Sequence, residues 1–159
     1  MAEPLAPAAV ASGPAPAPSK PKREYRFKFV PDAKFSVDNL LVSGSLEATI
    51  AFNDKLTATY RTMSIEGAQR VERVVDPRDQ TRSLKFGMNE LTIAQVYQTL
   101  VAINGKAIPP TAPEGSGADP RMVLIRSLPT VFFDQIVEGL NEFDARCKEL
   151  ISEGAVKSF

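Results

Sequence analysis

The side chains able to do chemistry are few, and their spacing decides what they could do. Asp134, Glu138 and Glu142 recur at i, i+4 and i+8, so on a helix the three carboxylates share one face. They fall opposite an apolar stripe, which makes them a solvated acidic face or an acidic docking surface. A hard cation would need ligands converging from several segments. Cys147 is the lone cysteine and lies on that apolar stripe, where a thiol packs as a small hydrophobe. The chain has no His, so His-dependent hydrolysis, Cys/His nucleophile pairs and zinc-finger ligand sets are excluded, and a single cysteine excludes a disulfide framework. Neither G-x-x-x-x-G-K-[ST] nor G-x-G-x-x-G occurs, and Gly115-Ser116-Gly117 is too bare to cradle a phosphate. The residues point to a protein that is not an enzyme, with no catalytic, metal-binding or cofactor-binding set.

Lys+Arg and Asp+Glu stand at 19 each, without the cationic excess of a general nucleic-acid or membrane coat. No apolar run approaches the roughly 18 residues of a membrane span. Prolines at 4, 7, 14, 16 and 18 interrupt what would be the apolar core of a signal peptide, so a reducing, cytoplasmic-type compartment is expected.

Residues 1–21 hold seven Ala and six Pro. A segment of that composition reads as an extended, polyproline-like arm over residues 1–23, ahead of one domain over residues 24–159. Lys20, Lys22, Arg23, Arg26 and Lys28 then alternate with Tyr25, Phe27 and Phe29. The pattern suits a half-buried edge strand, an arm that docks on a neighbouring subunit, or a stacking platform for single-stranded nucleic acid.

The elements that position these residues read β first and α afterwards, with strands over residues 24–61 and helices over 62–153. Tyr25–Val30 alternates up to Pro31; Phe35, Val37, Leu40 and Leu41 lead, still as β, into a Ser43-Gly44-Ser45 turn. Leu46–Phe52 and Leu56–Tyr60 form a hairpin. A three-residue loop, Asn53–Lys55, pairs Phe52 with Leu56, Ile50 with Ala58 and Ala48 with Tyr60, and so gathers every apolar side chain on one face.

Helices are expected at Ser64–Val75 and Thr92–Ile103. Thr92 and Gln95 form a capping box for the second, and Asn104-Gly105 its left-handed stop. Asp76–Ser83 reads as loop, Leu84–Met88 as a brief strand or connector, and Ile108–Ala118 as a long loop. Asp119-Pro120 opens a helix carrying Met122, Val123, Ile125 and Leu128. The last helix, Pro129–Ser152, lines Phe133, Ile136, Val137, Leu140, Phe143, Cys147, Leu150 and Ile151 along one face. Phe132 stands off that stripe, either widening the buried face or exposed as a contact for a partner, and Gly154 marks a stop. The fold class is α+β: a small antiparallel sheet in the N-terminal half followed by three to four helices.

Three segments carry a resemblance: "LTATYRTMSIEGAQRV" (Leu56–Val71), "VYQTLVAINGKAI" (Val96–Ile108) and "SLPTVFFDQIVEGLNEFD" (Ser127–Asp144). Over residues 46–152 their order resembles the small tail-assembly chaperones and baseplate-hub assembly proteins of long-tailed bacteriophages. The resemblance implies a non-enzymatic structural or assembly protein of a phage tail or baseplate, placed in the virion or in the host cytoplasm during assembly. Its partners would be other tail or baseplate proteins. Lys22, Arg23, Tyr25, Arg26 and Phe27 of the arm root, with Phe132, Glu138 and Glu142 of the last helix, are the candidate contacts. A permanent particle component and a transient chaperone both fit, as does a small nucleic-acid-binding module using Lys20–Lys28.

Overall fold

The computed structural model describes residues 24–74, 84–113 and 115–157. Over these the chain is α+β. Five antiparallel strands lie in sequence order: β1 (Lys28–Pro31), β2 (Glu47–Ala51), β3 (Thr57–Arg61), β4 (Leu100–Ile103) and β5 (Lys106–Ala107). Five helices accompany them: α1 (Val37–Ser43), α2 (Ile65–Val74), α3 (Leu84–Thr99), α4 (Pro120–Arg126) and α5 (Thr130–Lys157).

The central hairpin has the expected register. Ile50 faces Ala58 and Ala48 faces Tyr60, and Phe52 N donates to Leu56 O at 2.9 Å. Asn53 Oδ1 accepts from the backbone N–H of both Lys55 and Leu56, which closes the three-residue loop. Leu46, Ala48, Ile50, Ala58 and Tyr60 are fully buried. The opposite face is polar, with Thr49 and Thr59 hydroxyls 2.8 Å apart across the strands.

α5 covers the buried face, packing on β2, β3, α1 and α3. Ile136, Phe143 and Cys147 are its innermost side chains, whereas Ile151 is exposed and the helix continues through position 154 to Lys157. Gly139 is the close-approach point. A Cβ there would sit 2.6 Å from both Tyr60 Oη and Phe52 Cζ. The absent side chain lets the Tyr60 hydroxyl cross the helix surface and donate to Ile136 O at 2.7 Å.

Four expectations are corrected. Val37–Ser43 is helix and not strand: Ser36 Oγ accepts from Asn39 N, and Gly44, at φ 75°, ends the helix by donating to Leu40 O. The Asn39 side chain ties this turn to Lys34 O, Ser43 Oγ and Ser45 O, a local network that outweighs apolar alternation. Residues 84–88, expected as a strand or connector, belong to α3. The helix then stops at Thr99, and residues 100–103 are strand β4. Asn104-Gly105, both at positive φ, is the two-residue turn of the β4–β5 hairpin, the other structure that an Asn-Gly pair favours. Asn104 also prolongs the sheet, donating through N to Thr57 O and accepting from Thr57 N. The expected loop over Asp76–Ser83 lies outside the described residues.

Arg121 explains why α3 can end without a glycine. It is buried on α4, with its guanidinium donating to Tyr97 O at 2.7 Å, to Pro109 O at 2.9 Å and to Leu100 O. Tyr97 O and Leu100 O stand where helix becomes strand, carbonyls that a helix terminus otherwise leaves unpaired, and Pro109 O belongs to the segment after β5. Burial holds the Arg121 pKa below its ordinary value. Beside it, the Tyr97 hydroxyl donates to Asp119 Oδ2 and accepts from Ala112 N. Asp119 caps α4 as expected, accepting from Met122 N. Of the apolar residues this helix carries, Ile125 is buried and Val123 is exposed.

Candidate protein-binding surface

The residues entering β1 and the middle of α5 form one clasp. Glu142 accepts two consecutive backbone N–H groups, Arg26 N at 2.6 Å and Phe27 N at 3.2 Å. The Arg26 guanidinium reaches one turn back along the helix to Glu138 at 2.8 Å. That ion pair is solvent-exposed, so its own contribution is small, about 0–1 kcal/mol. The double acceptor on Glu142 does more, because a carboxylate on two backbone donors fixes the chain direction as well as its position. Glu142 is therefore engaged by the chain itself instead of lying free on a solvated face.

Phe27 is buried, and its ring meets Phe52 edge-on at 4.8 Å. The Arg146 guanidinium lies 3.9 Å from the Tyr25 ring centroid and 4.5 Å from that of Phe29. All three rings of the basic–aromatic segment are thus used within the fold, as in a half-buried edge strand. The geometry supplies no open stacking platform at Tyr25, Phe27 and Phe29.

Phe132 lies elsewhere. It is 45% exposed and forms part of a groove of about 650 Å³. The β2–β3 loop, Asn53–Lys55, and Leu56 line it. Ile103 and Asn104 of the β4–β5 hairpin also line it, as do Leu128 and Pro129 just before α5 and Phe132 in its first turn. The lining is apolar at Leu56, Ile103, Leu128, Pro129 and Phe132 and polar at Asn53, Asp54, Lys55 and Asn104. The sequence finds Phe132 by its offset from the buried stripe, but it does not reveal the groove, whose walls come from three separated segments.

Of the sequence candidates, Tyr25, Arg26, Phe27, Glu138 and Glu142 are brought together, Phe132 stands apart, and Lys22 and Arg23 lie outside the described residues. Arg146 and Gly139 complete the clasp and its support, and the sequence reading assigned neither of them a role in it. The signal was present: 132, 135, 139, 142 and 146 fall on one longitudinal stripe of α5, spaced by three and four. Among the described residues, no three carboxylate or thiol groups converge as a metal site, and no helix is long and apolar enough to cross a membrane.

No protein-family model, curated protein or solved structure matches the chain.

Proposed function

We propose that this chain is a non-enzymatic structural or assembly protein of a tailed-phage particle, working at the tail or baseplate. It binds neighbouring particle proteins through its N-terminal segment and α5. The observation that carries the reading is Phe132, half-exposed in a mostly apolar groove that also holds Asn53, Asp54, Lys55 and Asn104. Protein-binding hot spots are built from such parts, an aromatic anchor among apolar residues with polar groups nearby. The clasp adds a second means of attachment, since Glu142 fixes the point from which the Pro/Ala-rich segment departs. The phage setting comes from the ordered resemblance of the three segments between residues 56 and 144.

Quantitative mass spectrometry of purified mature tails and of their assembly intermediates tests the reading. A fixed copy number in mature tails supports a permanent component. Presence in intermediates alone supports a departing chaperone. Absence from both rejects a role in the tail.

A further inference from the structure

We propose that the cleft at Arg70 binds a carboxylate carried on a short aliphatic body, at a site that shares no residue with the Phe132 groove.

The state of the Arg70 guanidinium is the first argument. Arg70 stands on α2 with its side chain 22% exposed. A guanidinium carries five N–H donors in a planar fork, and here the protein engages few of them. Nη1 donates to Ala112 O at 3.3 Å, a long bond. Nη2 lies 3.7 Å from Glu66 Oε1, one turn back on the same helix, and the Glu66 side chain is 80% exposed. Nε is buried and has no hydrogen-bond partner. Arg121 shows the contrast, since its guanidinium donates to three carbonyls. A buried donor left unpaired is costly. A planar carboxylate is the acceptor that satisfies two donors of such a fork at once.

The surroundings of the fork are the second argument. Arg70 lines a cleft of about 220 Å³ between α2, α3 and α4, with Val71, Ala94 and Met122 as apolar lining and Gln98 and Ser116 as polar lining. That volume is below the roughly 300–1,000 Å³ of drug-sized ligand sites and suits a body of a few carbons. Arg70 is the one cation among the described lining residues, which matches the single charge of a carboxylate better than a phosphate dianion. Asp119 also lines the cleft, but both of its oxygens are committed: Oδ2 accepts from the Tyr97 hydroxyl and Oδ1 from Met122 N. Glu66 is an exposed competitor for Arg70, and an exposed ion pair of this kind is weak. A carboxylate seated in the cleft displaces it.

Pentanoate titrated into the isotope-enriched full-length chain, at an ionic strength held constant with chloride, tests this. The amide signals of Arg70, Gln98 and Ser116 should shift saturably, and neutral pentanamide should not move them. Arg70→Gln should weaken binding about tenfold or more. Arg70→Lys should recover little of it, because an ammonium lacks the fork. Glu66→Gln removes the competing carboxylate and should tighten binding. Amide signals away from the cleft should match the parent's in each variant, which separates lost binding from lost fold. Acetyl-alanyl-valine with a free C-terminus distinguishes the sources of the group. Tighter binding than pentanoate assigns the site to the C-terminal residue of a partner chain, and weaker binding assigns it to a free small carboxylate. The proposal is overturned if neither compound gives saturable shifts at these amides, if pentanamide binds as well as pentanoate, or if a folded Arg70→Gln chain binds as the parent does.

Discussion

Replacing Gly139 with Ala gives the sharpest test of how α5 is seated. On an open helix face the change would stabilise the chain by about 1 kcal/mol, since glycine is the costlier helix residue. Here the new methyl would stand 2.6 Å from Tyr60 Oη and Phe52 Cζ and 2.7 Å from Phe52 Cε1. Tyr60 cannot yield easily: it is fully buried and stacks on Phe143 at 5.7 Å. Relief requires moving its hydroxyl off Ile136 O, which strands a buried donor at a cost of about 1–3 kcal/mol. Overpacking adds a similar amount. After the helix gain is subtracted, Gly139→Ala should destabilise the fold by about 1–5 kcal/mol. Urea denaturation followed by circular dichroism measures it. The pair Gly139→Ala/Tyr60→Phe should lose less than the two single changes together, because removing Oη removes one of the clashes. A Gly139→Ala protein as stable as the parent, or more so, refutes this seating of α5.

Arg121→Ala leaves the carbonyls of Tyr97, Leu100 and Pro109 without their donor and should cost about 3–5 kcal/mol in urea denaturation. Arg121→Lys should recover little, since an ammonium lacks the planar fork. Glu142→Gln replaces one acceptor oxygen with a donor facing Arg26 N or Phe27 N; amide exchange at these two positions should rise about tenfold, the equivalent of ~1.4 kcal/mol, with the core unaffected. Burial raises the Cys147 thiol from an ordinary value of 9.0 to about 12. The unfolded chain therefore releases that proton first as pH rises. This contribution is intact below pH 9 and is lost between about 9 and 12, by up to about 1.4 kcal/mol per pH unit. Burial also raises the Tyr60 phenol above its ordinary 10.0, which adds to the loss at higher pH. Urea midpoints taken between pH 9 and 10 should fall less steeply in Cys147→Ala than in the parent.

The parts of the fold legible in the sequence were those fixed by local pattern. The alternation of Leu46–Tyr60 specified its own register because a slip by one residue would bury threonines. The buried stripe of α5 and the Asp119-Pro120 helix start were equally plain. Illegibility began where one signal served two structures. Asn104-Gly105 ends helices and turns hairpins alike, and only the ladder to Thr57 and the guanidinium of Arg121 decide for the hairpin. Arg121 itself lies one turn before Ile125, on the buried side of α4. A cation there signals carbonyls to be paired, but the sequence does not say which. The clasp was half legible: its basic and acidic members were visible, but their pairing required knowing that the residues leading into β1, Arg26 and Phe27, meet α5 at Glu138 and Glu142. The groove was not legible at all, because it exists only where the Asn53 loop, Asn104 and Pro129 meet.

The central claim, that Phe132 binds a neighbouring tail protein, is tested most directly by carrying Phe132→Ser into the particles of the protein's source and counting copies of the chain per purified tail. The side chain is half-exposed, so the isolated variant should keep its unfolding midpoint. An anchor worth about 2 kcal/mol or more should lower occupancy at limiting concentration by roughly thirtyfold. Tails holding the parental number of copies of a folded Phe132→Ser chain would contradict the account.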